Sequence, residues 1–122
     1  MRILIVDDSS TIRKIIKKTL NELGFNDIVE AEHGLDALKK LNGVNIIFLD
    51  WNMPVMNGLQ FTRALRANKD MNNVPIVMVT TEGGEAQQAE AMKEGVNLYL
   101  IKPFSKDKLL EKIKEVAKTR KK

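Results

Sequence analysis

Five short apolar runs along the chain predict five β-strands. They cover residues 2–6, 28–31, 46–49, 76–79 and 98–101. The runs are apolar almost without interruption, and strict alternation with polar residues is absent. That pattern is typical of strands buried on both faces, as in parallel sheets.

Helical spacing of apolar residues follows each predicted strand. The first helix begins after Ser9–Ser10 and ends near Gly24, which suit its N-terminal and C-terminal caps. The others are expected around residues 35–41, 57–65, 85–94 and 109–117. This alternation predicts an α/β fold: a single doubly wound, five-stranded parallel sheet with five helices on its two faces.

Composition narrows the class of protein further. A chain of 122 residues with 43% apolar residues suits one domain with a packed core. No apolar stretch approaches the roughly 18–20 residues that a membrane span needs, and the short N-terminal apolar run is not a signal peptide. Cysteine is absent, which excludes disulfides and thiolate metal sites. We therefore expect a cytoplasmic protein without a membrane partner.

The net charge of +4 comes from the C-terminal segment. Residues 105–122 carry eight Lys or Arg and three acids, whereas the remaining residues carry twelve bases and thirteen acids. Cations near a helix C-terminus are electrostatically favourable, so a solvated helix end is the simplest interpretation. A basic docking surface is the alternative. No aromatic residues are interleaved with these bases, so nucleic acid is not the expected partner.

Polar side chains follow four of the predicted strands at their carboxyl ends. Asp7 and Asp8 follow the first strand, Asp50 the third, Thr80 the fourth and Lys102 the fifth. Each alone has a plainer explanation, such as a helix cap or a solvated charge. In a parallel sheet, however, these ends share one edge, where ligands bind. Carboxylates there suit Mg²⁺, and a carboxylate can accept a phosphoryl group whose charge a lysine and a hydroxyl neutralise.

Four stretches give the chain a resemblance to a known family: ILIVDDSSTIRKIIKKTLNELGF, DWNMPVMNG, VMVTTEGG and YLIKPF. The chain resembles the receiver domains of bacterial two-component response regulators, most of all the stand-alone chemotaxis regulators of the CheY type. The resemblance covers essentially the whole chain. It implies a flavodoxin-like fold with strand order 2-1-3-4-5, and a monomeric receiver domain over residues 1–122 with no output domain.

The resemblance also implies roles at the strand ends. Asp50 would accept a phosphoryl group from a histidine kinase of the CheA type. Asp8 and Asp50 would bind Mg²⁺ directly, together with the backbone carbonyl of Asn52, and Asp7 through a metal-bound water. Lys102 would pair with Asp50 or its phosphate, and the peptide bond from Lys102 to proline would be cis.

The resemblance also implies a conformational switch that responds to phosphorylation, and a surface that then binds a partner protein. Thr80 and Tyr99 would rearrange on phosphorylation, and Asn52 and Glu82 would tune dephosphorylation. The helix 4–strand 5–helix 5 surface would then bind a flagellar motor switch protein of the FliM type, with a phosphatase as a further partner. The alternative is a single-domain phosphorelay or other non-chemotactic regulator.

The same resemblance argues against an enzyme. Chemistry would be limited to self-phosphorylation and self-dephosphorylation at Asp50. A Mg²⁺-dependent aspartyl-phosphate phosphatase would need a second acid two residues after its nucleophile, where this chain has Asn52. The polar Gln87–Gln88 face and the glycines before the fourth helix depart from what a motor-binding surface leads us to expect.

Overall fold

The computed structural model describes residues 1–70, 73–81 and 84–120. Within them, five strands and five helices alternate. The strands are β1 (Ile3–Val6), β2 (Ile28–Ala31), β3 (Ile46–Leu49), β4 (Ile76–Thr80) and β5 (Leu98–Ile101). The helices are α1 (Ser10–Glu22), α2 (Gly34–Leu38), α3 (Gly58–Ala67), α4 (Glu85–Glu94) and α5 (Lys106–Arg120). The predicted alternation is confirmed.

The five strands form one parallel sheet in the order β2-β1-β3-β4-β5, so the flavodoxin-like topology is confirmed. In the sheet, Val6 at the end of β1 is in register with Ala31 of β2 and Leu49 of β3. The residues that follow these strands therefore leave the sheet at one edge. The order also reverses between β1 and β3, and such a switch point is where open α/β sheets bind ligands.

The core lies on both faces of the sheet, because successive strand residues point to opposite sides. Leu4 of β1 packs into a cluster that contains Phe61 of α3. Its neighbour Ile5 packs into a second cluster with Leu20 of α1 and Leu109 of α5. All five side chains are completely buried. Burying each side chain contributes roughly 1.5–3 kcal/mol, which explains why the strands are apolar at every position.

Side-chain caps fix the starts of two helices that border the carboxyl edge of the sheet. At α1, the Ser9 hydroxyl accepts a hydrogen bond from the Ile12 N–H at 3.2 Å. At α3, Asn57 and Gln60 form a reciprocal capping box with two hydrogen bonds of 2.9 Å. Each cap satisfies backbone donors that the first helical turn leaves unpaired. The loops that carry the strand-end acids are thereby held at both ends.

Helix α4 is held against the rest of the fold by few buried side chains. Its N-cap is Gly84, which supplies no side-chain hydrogen bond, and Gly83 lies outside the described residues. Ala91 is the single α4 residue that is buried. At its C-terminus, Gly95 adopts φ of +116°, a left-handed conformation that favours glycine. A helix that buries so little apolar surface costs little free energy to displace.

Helix α5 carries most of the basic C-terminal segment. It buries Leu109, Ile113 and Val116 against the sheet. On its outer side, Lys108 lies 4.0 Å from Glu111 in an exposed ion pair that adds little stability. None of the helices in the described part of the chain has the length and hydropathy to cross a bilayer.

Candidate functional site

Three carboxylates meet where β1 and β3 end. Asp7 and Asp8 directly follow β1, and Asp50 directly follows β3, its neighbour in the sheet. Each side chain offers one oxygen, and these oxygens all lie within 4.8 Å of one another. Asp7 and Asp50 are 3% and 8% exposed, whereas Asp8 is open to solvent. The structure thus brings together the three acids that the sequence placed at strand ends.

The sheet ladder holds the two buried acids by their backbones. The Asp7 N–H donates to the carbonyl of Ala31 at 3.1 Å, and the Asp50 N–H donates to the carbonyl of Val6 at 2.9 Å. The Asp7 carboxylate in addition accepts a hydrogen bond from the Ser9 N–H at 2.9 Å. Parallel pairing therefore continues one residue beyond each strand and fixes the spacing of the acids.

Lys102 brings a cation to these carboxylates from the end of β5. Its Nζ lies 3.1 Å from Asp7 Oδ2 and 3.6 Å from Asp50 Oδ1. The Lys102–Pro103 peptide bond is cis, as the family resemblance implied. The family resemblance implies that Lys102 pairs with Asp50, and the structure adds Asp7 as the nearer partner. One ammonium thus faces three carboxylates, which leaves the cluster with excess negative charge.

The pKa of Asp50 reflects both its burial and the negative charge of the neighbouring acids. Burial, followed by the neighbouring charge of Asp7, raises the pKa of Asp50 from 3.8 to about 6. Asp8 adds to the rise, and the attraction of Lys102 partly opposes it. Ionised Asp50 is therefore in an environment that a further positive charge would stabilise.

The start of α3 approaches Asp50 so closely that only glycine fits. A Cβ built on Gly58 would lie 2.6 Å from the backbone oxygen of Asp50 and 3.0 Å from Trp51 Cα. The Gly58 N–H donates to the Trp51 carbonyl at 2.9 Å, which closes the loop. The sequence predicts a helix around residues 57–65, and the structure gives Gly58, at its start, this additional role.

Thr80 and Tyr99, the two predicted switch residues, lie on neighbouring strands. Thr80 ends β4 and is completely buried, and its carbonyl accepts from the Lys102 N–H at 2.9 Å. Tyr99 of β5 is half-buried and meets Trp51 edge to face, with ring centroids 6.4 Å apart. Since Trp51 directly follows Asp50, this contact connects the acid cluster to β5. The sequence offered no signal for the Trp51–Tyr99 pair.

Asn52 and Glu82 are the two residues expected to tune dephosphorylation. Asn52 is exposed in the loop between β3 and α3, two residues after Asp50. Glu82 lies outside the described residues. Their roles remain predictions from the family resemblance.

Arg13 is a residue near the site that the sequence analysis missed. It lies in the first turns of α1, and its Nη1 donates to the Asp7 carbonyl at 2.6 Å. Its Nε donates to Glu30 of β2 at 3.1 Å. In the sequence it is one of several bases on the polar face of α1. Its contact with Glu30 could be identified only once β2 was known to lie beside β1.

The donor set fits a hard divalent cation. Mg²⁺ prefers oxygen ligands and is commonly held by one or two carboxylates with waters and phosphate oxygens. Asp7, Asp8 and Asp50 offer such oxygens, with Asp8 open to solvent. Burial and the neighbouring acids raise the pKa of Asp50, so a bound cation would stabilise its ionised form. These residues are therefore suited to hold Mg²⁺.

Comparison with known proteins identifies the class to which this fold and site belong. A family model of the response regulator receiver domain matches residues 3–114. The chain belongs to the response regulator receiver domain family.

Individual relatives are named for one branch of that family. The chain is 51% identical over 122 residues to a chemotaxis protein CheY homolog of Campylobacter jejuni, covering 98% of this chain and 94% of the relative. It is 48% identical over 122 residues to chemotaxis protein CheY1 of Helicobacter pylori, with 98% of each covered. The chain thus spans nearly the full length of both relatives.

Solved structures agree with the fold. Chemotaxis protein CheY4 of Vibrio cholerae superimposes with a TM-score of 0.88 at 35% identity, covering 94% of this chain and 97% of that one. The receiver domain of a sensor histidine kinase from Pseudomonas aeruginosa gives a TM-score of 0.86 at 26% identity, covering 95% and 97%. That second structure is described with a magnesium ion coordinated in its active-site cleft.

Proposed function

We propose that this protein is a phosphorylation-activated switch that accepts a phosphoryl group from a histidine kinase on Asp50. The observation that carries the proposal is the position of Asp50. Its buried carboxylate lies among two further acids and 3.6 Å from the Lys102 ammonium. Phosphoryl transfer to a carboxylate needs a nucleophile, ligands for a divalent cation and a further positive charge. Asp50, the two other acids and the Lys102 ammonium supply these parts.

The transfer exchanges one bond for another. An Asp50 carboxylate oxygen attacks the phosphorus of a phosphohistidine, a P–O bond forms, and the P–N bond breaks. The electron pair leaves with the imidazole nitrogen of the kinase. With a pKa of about 6, Asp50 is mostly ionised at neutral pH and is available as the nucleophile.

The residues around Asp50 stabilise the charge of the transferred group. Asp8, Asp50 and the Asn52 carbonyl would hold Mg²⁺ directly and Asp7 would hold it through a metal-bound water, and the ion would supply positive charge to the phosphoryl oxygens. Lys102 already lies near the accepting carboxylate and contributes a further positive charge. In our proposal the chemistry is limited to transfer of the phosphoryl group to Asp50 and its later hydrolysis by water, which releases inorganic phosphate and restores the Asp50 carboxylate.

The switch itself is a shift between two populated arrangements. In our proposal the Thr80 hydroxyl donates to a phosphoryl oxygen, and Tyr99 changes its side-chain position in response. A phosphoryl group that binds one arrangement better than the other must shift the equilibrium by that difference. The weakly anchored α4 and the Trp51–Tyr99 contact support β5 and α4 as the elements that move.

The output of the switch is proposed to be protein binding at the α4–β5–α5 surface. A groove of about 460 Å³ lies along β5 and α5, between apolar Ile101 and Phe104 and basic Lys108 and Lys112. The relatives named chemotaxis proteins support a flagellar motor switch protein of the FliM type as its partner. We also propose that this receiver domain acts in the cytoplasm.

Phosphorylation is tested by incubation with acetyl phosphate and Mg²⁺, followed by intact-mass spectrometry. We expect one added phosphoryl mass in the native chain and none in Asp50→Asn. Asp70→Asn, an exposed acid in the loop after α3, is the matched control and should be labelled normally. Undiminished labelling of Asp50→Asn would remove Asp50 from its proposed role.

The partner is tested separately with an immobilised motor switch protein peptide. Capture that increases after phosphorylation, and is lost in Asp50→Asn, supports the chemotactic output. Phosphorylation at Asp50 without any such capture would favour the alternative, a single-domain phosphorelay or other non-chemotactic regulator.

A further inference from the structure

The peptide that joins Asp7 to Asp8 is held by one side chain, that of Arg13. Its Nη1 donates to the Asp7 carbonyl at 2.6 Å, the shortest side-chain hydrogen bond described around the cluster. The Arg13 side chain is only 16% exposed. Its Nε is bound to Glu30 on β2 at 3.1 Å, so the donor is itself fixed from the neighbouring strand.

This contact matters most for Asp8. The Asp7 carboxylate is held directly by Ser9 and Lys102. In the described part of the chain, no hydrogen bond or ion pair to another side chain orients the exposed Asp8 carboxylate. Where Asp8 points is therefore decided by its backbone, and the orientation of the preceding peptide is decided by the Asp7 carbonyl that Arg13 binds.

We propose that Arg13 is a positioning residue for the divalent-cation site. By holding the Asp7–Asp8 peptide between α1 and β2, it places the Asp8 carboxylate within reach of Asp7 and Asp50. The inference rests on the proposed function, since it concerns the same site. According to this inference, the cation affinity depends also on Arg13 and on its contact with Glu30 of β2.

A positioning role and a purely electrostatic role predict opposite changes in cation affinity when Arg13 is removed. Arg13 carries a positive charge close to three acids, so its removal should strengthen cation binding if charge were its only contribution. If Arg13 positions Asp8, its removal lets the peptide rotate, and cation binding weakens. Changes of residues that orient metal ligands typically cost 10–100-fold in affinity. For a site exposed at Asp8 we expect the lower end, about tenfold.

The test is a Mg²⁺ titration of the full chain at neutral pH, followed by the fluorescence of Trp51, the only tryptophan. Arg13→Ala should raise the dissociation constant about tenfold. Arg13→Lys keeps the charge but replaces the forked guanidinium, whose Nη1 and Nε bind Asp7 and Glu30, by a single ammonium nitrogen, so an intermediate constant is expected. An unchanged or lower constant in Arg13→Ala would overturn the proposal.

Two matched controls separate positioning from general loss of charge. Lys17 lies on the same helix and pairs with Glu30 at 3.6 Å without a described contact to Asp7. Arg63 pairs with Glu94 on the other side of the sheet. Lys17→Ala and Arg63→Ala should leave the Mg²⁺ constant unchanged. A rise equal to that of Arg13→Ala in either control would contradict a specific role for Arg13.

A second readout keeps the proposal distinct from the proposed function. Labelling of Asp50 by acetyl phosphate should be slow in Arg13→Ala at low Mg²⁺ and should approach the native rate when Mg²⁺ is saturating. If the native chain is not labelled, the proposed function fails. If it is labelled but Arg13→Ala binds Mg²⁺ normally, this inference alone fails. Should Arg13→Ala not fold, Arg13→Lys and Glu30→Gln, which loosens the anchor, carry the same test.

Discussion

Replacing Asp50 by asparagine should stabilise the cation-free protein at neutral pH. The pKa of Asp50 is raised from 3.8 to about 6. For an acid, a raised pKa means that the folded state disfavours the ionised form. The resulting stabilisation by the neutral carboxyl is complete below pH 3.8 and is lost as the pH rises through about 6. Above that range the native chain must bury an ionised carboxylate when it folds, which costs free energy. The Asp50→Asn variant buries a neutral amide and avoids that cost.

The magnitude follows from the size of the shift. Each pKa unit corresponds to about 1.4 kcal/mol, so a rise of about two units costs roughly 3 kcal/mol at pH 7.5. Asp50 is 8% exposed, so solvent screening reduces this value little. For a domain of this size, 3 kcal/mol corresponds to roughly 10 °C in melting temperature. The attraction between Asp50 and Lys102 is already contained in the net shift.

Urea unfolding with a chelator present, monitored by circular dichroism at pH 7.5 and at pH 4, measures this effect. We expect Asp50→Asn to be more stable than the native chain at pH 7.5 and nearly equal to it at pH 4. Asp36 is the control, because a hydrogen bond from Lys40 lowers its pKa and Asp36→Asn should therefore not stabilise at pH 7.5. A destabilised Asp50→Asn variant, or the same gain at both pH values, would refute the electrostatic reasoning.

Three further substitutions test other parts of the structure by urea unfolding. Val55 is β-branched, 71% exposed and held at φ of +70°, so Val55→Asn should stabilise the protein by about 1 kcal/mol. Gly58→Ala places a Cβ 2.6 Å from the Asp50 backbone oxygen, so it should cost about 2 kcal/mol and slow phosphorylation of Asp50. Arg66 donates to the carbonyls of Val74 and Gly95, and Arg66→Ala should cost about 2–3 kcal/mol.

Each of these outcomes can contradict its premise. A destabilised Val55→Asn variant would mean that the left-handed backbone at this position carries no strain. A neutral Gly58→Ala variant would mean that α3 can move away from Asp50 without cost. A neutral Arg66→Ala variant would mean that water replaces the guanidinium at both carbonyls.

The parts of the fold that could be predicted are those set by local pattern. The run Ile3–Val6 is apolar at every position, which requires burial on both faces and therefore a parallel sheet with helices on each side. Gly95 ends α4, as predicted for a glycine that directly follows a helical segment. The acid cluster could be predicted because the Asp7–Asp8 pair and Asp50 each come directly after an apolar run, and parallel strands place such residues at one edge.

What could not be predicted depends on distances between segments that are far apart in the sequence. The contact of Arg13 with Glu30 requires that β2 lie beside β1, and the strand order came from family resemblance, not from the pattern. The nearness of Lys102 to Asp7 joins residues 95 positions apart. The left-handed backbone of Val55 has no signal in the sequence, because a β-branched residue is among the least expected there.

The account depends on a divalent cation held by the acids at the carboxyl edge of the sheet, beside the carboxylate that accepts the phosphoryl group. Its most direct test is a Mg²⁺ titration of the uniformly ¹⁵N-labelled chain at neutral pH, followed by amide chemical shifts. We predict saturable shifts at millimolar Mg²⁺ that are centred on Asp7, Asp8, Asp50 and Asn52 and are abolished in Asp50→Asn. Shifts that never saturate, or that occur equally at acids elsewhere on the surface, would contradict the account.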